Sequence, residues 1–69
     1  MPTLKQLRLE ARLSVNRLAK LADVDRQTIM RAEAGEHIRE LTAYAIVDTL
    51  SKRLGRSITY QQVDGLNIS

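Results

Sequence analysis

The amino-acid sequence predicts an all-α domain, a compact bundle of four to five short helices. One helix-start signal, an apolar residue followed by Ser, Thr or Asp, recurs along the chain. Sustained alternation of apolar and polar residues, the pattern typical of strands, is missing apart from a brief stretch at residues 66–68. The core must be aliphatic, because only 3% of the residues are aromatic and neither Phe nor Trp occurs.

Length and composition limit the class of protein further. A chain of 69 residues forms at most one domain, here residues 1–69, near the lower size limit for a hydrophobic core. Cys is absent, so we expect neither a disulfide nor a thiolate metal site, and a cytoplasmic location. No apolar run approaches the roughly 20 residues of a membrane span, and no signal-peptide pattern is present. The net charge of +3 is compatible with nucleic acid without requiring it.

Three of the helix starts combine an N-cap with a hydrophobic staple, in which apolar residues on either side of the cap contact each other. These are Leu13-Ser14-Leu18, Val24-Asp25-Ile29 and Ile58-Thr59-Val63. Thr3 with Gln6 and Thr59 with Gln62 also have the spacing of a capping box. The pattern therefore predicts helices that begin after residues 3, 14, 25 and 59.

The predicted helices cover residues 4–12, 15–22, 26–34 and 39–54, and a short fifth helix follows Thr59 and ends at Asp64-Gly65. Gly35 and Gly55 end the third and fourth helices, since glycine adopts the left-handed conformation readily. Residues 64–69 form a short tail. The side chains expected to face inward are Leu4, Leu7 and Ala11 on helix one, Val15, Leu18, Leu21 and Ala22 on helix two, and Tyr44, Val47, Leu50, Ser51 and Leu54 on helix four. Ala45 and Ile46 lie off that last stripe.

Helices two and three are too close in sequence to lie antiparallel, because only a few residues separate them. They must cross at a steep angle, with a small residue, Ala19, under helix three and with Val24 and Ile29 filling the corner. Helix three then projects from the body. Its outward face carries long polar and apolar side chains, Arg26, Gln27, Met30 and Arg31. Arg and Gln of this kind suit base edges in the major groove of DNA, although a solvated helix face is the alternative.

These segments resemble a known family. LSVNRLAKLADVDRQTIMRAEAG at residues 13–35, with LKQLRLEAR before it and LSKRLGRSITYQQV after it, is similar to the Xre/Cro-type helix-turn-helix domain of phage repressors and bacterial regulators. The resemblance covers residues 4–63. It rests on Ala19, Val24, Ile29, Glu33, Gly35 and the Leu54-Gly55 pair. It implies a lambda repressor-like fold with the helix-turn-helix motif at about residues 15–34.

The resemblance also implies roles for single residues, because in this family the second helix of the motif reads bases and the first crosses the DNA backbone. The implied base contacts are Arg26, Gln27 and Arg31, while Met30 either contacts a thymine methyl group or is an ordinary surface residue. The implied phosphate contacts are Ser14, Asn16, Arg17, His37 and Arg39, with a plain surface position as the alternative for His37. Arg8 and Glu33 are expected to form a structural ion pair.

The sequence departs from the family pattern at two positions. Asp23 stands where the turn usually has Gly, and Asp tolerates a positive φ better than most residues. Val15 stands where a polar residue often begins the backbone-crossing helix. One customary phosphate contact is therefore missing.

The resemblance implies a sequence-specific DNA-binding regulator, a repressor, that is cytoplasmic and associated with the nucleoid. We expect it to act on double-stranded DNA as a homodimer joined through helix five and the C-terminal tail, where Leu66 and Ile68 point the same way if the tail is extended. An antitoxin-like or adaptor protein on the same scaffold is the alternative, and an exposed apolar patch on helix four would favour it. An enzyme is not expected, and no catalytic, cofactor or metal residue is predicted, because the chain has one His, no Cys and no glycine-rich phosphate loop.

Overall fold

The computed structural model describes residues 1–69 and consists mainly of helices. The four α-helices are α1 (Leu4–Glu10), α2 (Val15–Ala22), α3 (Arg26–Glu33) and α4 (Glu40–Leu54). Two short strands, β1 (His37–Ile38) and β2 (Asn67–Ile68), and one turn of 3-10 helix at Tyr60–Gln62 complete the chain. None of the helices has the length and hydropathy that a membrane span requires. The all-α prediction thus holds for the four helices and overlooks a small sheet.

The caps explain where the first two helices begin. Thr3 and Gln6 form a capping box, in which the Thr3 amide donates to Gln6 Oε1 at 2.9 Å and the Gln6 amide to Thr3 Oγ1 at 3.2 Å. Ser14 Oγ accepts from the Arg17 amide at 3.0 Å and so caps α2. Asp25 occupies the N-cap position of α3 without a side-chain hydrogen bond. The bounds of α2 agree with the predicted range of residues 15–22.

The core is formed by fourteen buried apolar residues, all of them aliphatic. They are Leu4, Leu7, Leu13, Leu18, Ala19, Ala22, Ile29, Ala32, Ile38, Ala43, Ile46, Val47, Leu50 and Val63. Every helix contributes to this set, as does β1 through Ile38. The domain therefore has one continuous core, to which residues from Leu4 to Val63 contribute.

Two helix faces differ from the prediction. On α4 the buried stripe includes Ile46 and Ala43, whereas Tyr44 is 51% exposed, so the inward face is rotated from the predicted one. The Ile46 side chain has no polar atom and is fully buried, while the Tyr44 ring packs edge-on against Tyr60 at 5.2 Å between centroids. On α2, Leu21 is predicted to face inward but is 42% exposed, because the buried stripe of this helix runs through Leu18, Ala19 and Ala22.

The C-terminal segment also differs from the prediction of a fifth helix. Only a single 3-10 turn forms, because Val63 is already extended and Gly65 has a φ of 78°. The Asp64 amide donates to the Pro2 carbonyl at 2.8 Å, and β2 then pairs in parallel with β1, His37 opposite Asn67. The two apolar residues of the tail, Leu66 and Ile68, pack against the core of their own chain.

Candidate nucleic-acid interface

The turn between α2 and α3 sets the direction in which α3 leaves the body. Asp23 caps α2 in the left-handed conformation, with φ 58° and ψ 47°, so it does in this turn what a glycine would do. The Val24 amide donates to the Ala19 carbonyl at 2.9 Å, which closes the turn. Ala19 and Ile29 are buried and Val24 packs on the core. The corner is thus filled by small and apolar side chains, and the outer face of α3 stays free of packing.

The outer face of α3 carries the four side chains that the sequence predicts as base contacts. Arg26, Gln27 and Arg31 are exposed, and Met30 is 49% exposed. Ile29 and Ala32 occupy the opposite, buried side of the helix. An α-helix with one exposed face of this kind is an element that the major groove of B-DNA admits.

An open cleft of about 960 Å³ lies beside the turn. Four of the predicted contact residues line it, namely Ser14, Asn16, Arg17 and Arg26. Lys20 adds a third positive charge to those of Arg17 and Arg26, against the two carboxylates of Asp23 and Asp25. The cleft therefore joins the start of α2 to the start of α3 in one polar surface.

A second cleft, of about 440 Å³, contains three more of the predicted contact residues. Arg31, His37 and Arg39 line it, and none of its lining side chains is acidic. Thr28 and Thr42 line both clefts, so the two are contiguous. Gln27 and Met30 line neither cleft and lie on the exposed outer side of α3.

Lys20, Thr28 and Thr42 belong to this surface and were not selected from the sequence. Lys20 follows Asn16 by four residues, and on a helix that spacing places two side chains on the same side, so this signal was available. Thr42 lies in the first turn of α4, and only the packing of α4 against α2 brings it here. Its position carried no local signal.

Two predicted residues already have partners within the domain. Arg31 Nε lies 3.4 Å from Glu36 Oε1, with both side chains more than half exposed. Ser14 caps α2, and its Oγ accepts a hydrogen bond from the Arg17 amide. The hydroxyl proton of Ser14 is therefore still available for an acceptor such as phosphate. Val15 packs against the core and offers no polar atom from its side chain, as its departure from the family pattern implied.

Arg8 and Glu33 join α1 to the end of α3. Arg8 Nε lies 2.6 Å from Glu33 Oε2, and Arg8 Nη2 donates to Glu33 Oε1 at 3.3 Å. Arg8 Nη1 also donates to the Leu13 carbonyl at 3.0 Å. The two side chains are only 10% and 13% exposed. This bidentate, nearly buried pair fixes the inner face of α3, and so also the orientation of its outer face.

No group of three or more His, Cys, Asp or Glu side chains is arranged to hold a metal ion. The chemistry that the surface offers is hydrogen bonding and ion pairing by Arg, Lys, Gln, Asn, Thr and Ser side chains. Such side chains are those that contact phosphates and base edges in protein–DNA complexes.

Comparison with known proteins agrees with this geometry. Residues 3–55 match the family model described as a helix-turn-helix domain, which covers most of the 69-residue chain. Neither a curated protein nor a solved structure matches the chain. Domains of this family bind DNA, and the matched region contains the arginine and lysine residues of both clefts and the whole of α3. The chain belongs to the helix-turn-helix domain family, of the Xre/Cro-like kind, and the resemblance first read from its sequence is confirmed.

Proposed function

We propose that this protein is a sequence-specific transcriptional regulator, a repressor, that reads the major groove with α3. The observation that carries the proposal is the division of α3 into a buried face and an outer face of Arg26, Gln27, Met30 and Arg31, beside two polar clefts. Repression would follow from occupation of the DNA, because a bound domain excludes other proteins from the same stretch. We place the protein in the cytoplasm, associated with the nucleoid, because that is where its DNA would be.

In this proposal the outer face of α3 provides the base contacts, and the residues around it provide the phosphate contacts. The phosphate contacts are Ser14, Asn16, Arg17, His37 and Arg39. Residues 1–69 act as one domain in this proposal. The single core, whose residues come from positions between Leu4 and Val63, supports this. Phosphate contacts position the protein on the duplex, whereas base contacts select the sequence.

The test is selection of a binding sequence from random DNA, followed by titration of variants on the selected and on random duplexes. Each lost bidentate base contact should reduce discrimination by about 1–3 kcal/mol. Gln27→Ala and Arg31→Ala should therefore weaken specific binding far more than binding to random DNA. Arg53→Ala is the matched control, because Arg53 is an exposed cation on α4 that lines neither cleft. Equal losses on both duplexes would exclude α3 as the reader.

We also propose a two-fold homodimer on DNA, because one short helix reads too few base pairs to be specific in a genome. The contact was expected at helix five and the tail. Since Leu66 and Ile68 pack on the core of their own chain, we propose instead that the dimer contact is centred on Tyr60 and the neighbouring face of α4. Leu41 is 80% exposed there, and Tyr44, which packs against Tyr60, is 51% exposed. Apolar side chains in such a cluster suit an interface.

The same exposed apolar patch favours a second candidate function, an antitoxin-like or adaptor protein that binds another protein through α4. Sedimentation of the pure protein, with and without a palindromic duplex, distinguishes the two. A dimer on DNA that Leu41→Asp abolishes and that Leu9→Asp, at another exposed leucine, leaves intact supports the homodimer. Independent monomers on both half-sites would favour a partner protein instead.

A further inference from the structure

The second strand of the small sheet holds the segment that joins α3 to α4. This joining segment, residues 35–39, contains His37 and Arg39, two of the proposed phosphate contacts. Residues 65–69, here called the C-terminal clamp, run alongside it in parallel, with Ile38 opposite Ile68. The clamp is thirty positions away in sequence from the segment it contacts.

Three hydrogen bonds join the clamp to the joining segment at its two ends. Asn67 Nδ2 donates to the Gly35 carbonyl at 2.6 Å, where the chain leaves α3. The Ser69 amide and the Ser69 hydroxyl both donate to the Ile38 carbonyl, at 3.0 and 3.3 Å, just before α4 begins. Between these ends, Ile38 is buried and Ile68 packs on the core.

The joining segment is also held at its two ends by the neighbouring helices. Toward α3, the Gly35 amide donates to the Ala32 carbonyl at 3.2 Å and the Glu36 amide to the Arg31 carbonyl at 3.0 Å, and the exposed Glu36 carboxylate pairs with Arg31. Toward α4, the Arg39 carbonyl accepts from the Ala43 amide at 2.9 Å. Gly35 has a φ of 86° and adds no side chain, and Arg39 is the N-cap of α4 without making a side-chain cap bond. The side chains of His37 and Arg39 are exposed and make no hydrogen bond or ion pair within the domain. The backbone that the clamp holds therefore sets the positions from which these two side chains extend.

We propose that the C-terminal clamp is a positioning element of the DNA interface, and that Asn67 is its principal positioning residue. By fixing the backbone of residues 35–39 before DNA arrives, the clamp removes part of the ordering entropy that binding would otherwise require. Its end also lies at the interface, since Ser69 lines the same cleft as Arg31, His37 and Arg39. This inference rests on the proposed DNA-binding function.

The experiment compares Asn67→Ala with Gln61→Ala on the duplex selected with the parent protein. Gln61 is a matched control, because it is an exposed amide in the same C-terminal segment whose side chain makes no hydrogen bond. Asn67→Ala should weaken DNA binding by about three- to tenfold, the usual net effect of one hydrogen bond, while Gln61→Ala should not. Both variants should melt close to the parent, because neither side chain belongs to the core.

A double-mutant cycle with Arg39→Ala tests whether the clamp acts through the joining segment. The loss caused by Arg39→Ala should be smaller in the Asn67→Ala background than in the parent, because the Arg39 side chain is then less well placed. Additive losses would overturn the proposal, as would tighter binding by Asn67→Ala, which would make the clamp an obstruction.

Amide hydrogen exchange of the free protein separates this proposal from the function on which it rests. Asn67→Ala should raise exchange at the Ser69 amide and within residues 35–39, and leave α2 and α4 unchanged. Unchanged exchange at those positions would overturn the clamp even if the parent binds DNA specifically. Raised exchange in a protein that does not bind DNA would instead overturn the proposed function and, with it, the positioning role.

Discussion

Replacing Glu33 by Gln should destabilise the domain far more than replacing Glu10 by Gln, although the two carboxylates hold an arginine in nearly the same way. Glu10 accepts from Arg56 Nη1 and Nη2 at 2.7 and 3.1 Å, close to the 2.6 and 3.3 Å between Glu33 and Arg8. The difference is exposure, about half for the side chains of Glu10 and Arg56 and near a tenth for those of Arg8 and Glu33. The two substitutions thus compare two bidentate pairs at two depths, a side-on pair through Nε and Nη2 of Arg8 and an end-on pair through Nη1 and Nη2 of Arg56.

The magnitude follows from what remains after the substitution. Glu33→Gln keeps an acceptor for Arg8 Nε and removes the negative charge, which leaves a nearly buried guanidinium uncompensated. Breaking a buried pair in this way costs about 3–5 kcal/mol of unfolding free energy. Because the Gln side chain keeps an acceptor, we expect the lower end of that range, about 3 kcal/mol. For a domain of 60–100 residues each kcal/mol lowers Tm by about 4–8 °C, so we expect a decrease of roughly 12–24 °C. Glu10→Gln should lower Tm by much less, since water solvates the arginine that is left.

Thermal unfolding followed by circular dichroism, at neutral pH and low salt, measures both variants. The double variant Arg8→Met with Glu33→Leu should recover much of the loss, because it buries no unpaired charge. If Glu33→Gln and Glu10→Gln melt together, the Arg8–Glu33 pair is solvated, and the orientation we assign to α3 has lost its support.

Three further predictions concern binding, backbone strain and pH. Arg39→Ala should reduce the slope of log K against log salt by about one unit, whereas Asn16→Ala should weaken binding at an unchanged slope; an unchanged slope for Arg39→Ala removes that phosphate contact. Arg12→Gly should stabilise the domain by about 1 kcal/mol in urea unfolding, because Arg12 has a φ of 58°, and destabilisation would show that its side chain matters more. The hydrogen bond from Tyr60 to Glu40 raises the pKa of the Tyr60 phenol above 10.0, so its contribution to stability should be present below pH 10 and lost as the pH rises through that pKa. Absorbance titration of Glu40→Ala should show a lower Tyr60 pKa, and an unaltered one would exclude the bond.

The helix-turn-helix part of the fold was predictable because its signals are local. Ser14 and Asp25 mark helix starts, and the turn between them requires one left-handed residue, which Asp23 provides with a φ of 58°. The bounds of α2 and the first residue of α3 follow directly from these positions. An N-cap residue acts on amides two or three residues away, so both partners of such an interaction can be found within one short stretch of sequence.

The C-terminal segment was not predictable in the same way, because its partners are far away in sequence. Nothing next to Asn67 indicates that its side chain reaches the Gly35 carbonyl, and two-residue strands are too short for a visible alternation. The inward face of α4 was not predictable for another reason. Both Tyr44 and Ile46 are hydrophobic, and which of them turns inward depends on the neighbouring elements; here Tyr44 packs against Tyr60 and Ile46 enters the core.

The parallel pairing of β1 with β2, together with the contact between Thr3 and Asp64, has a consequence for the order in which the domain folds. The α2–α3 corner closes between neighbours in sequence, whereas these contacts close loops of about thirty and sixty residues, and closing a longer loop costs more chain entropy. We therefore expect the corner to form in the folding transition state and the C-terminal segment to dock after it. Substitutions at Ile68 would then mainly accelerate unfolding, whereas substitutions at Ile29 would slow folding. A molecule in which α3 has already formed would therefore still spend a short time before the C-terminal clamp pairs with the joining segment.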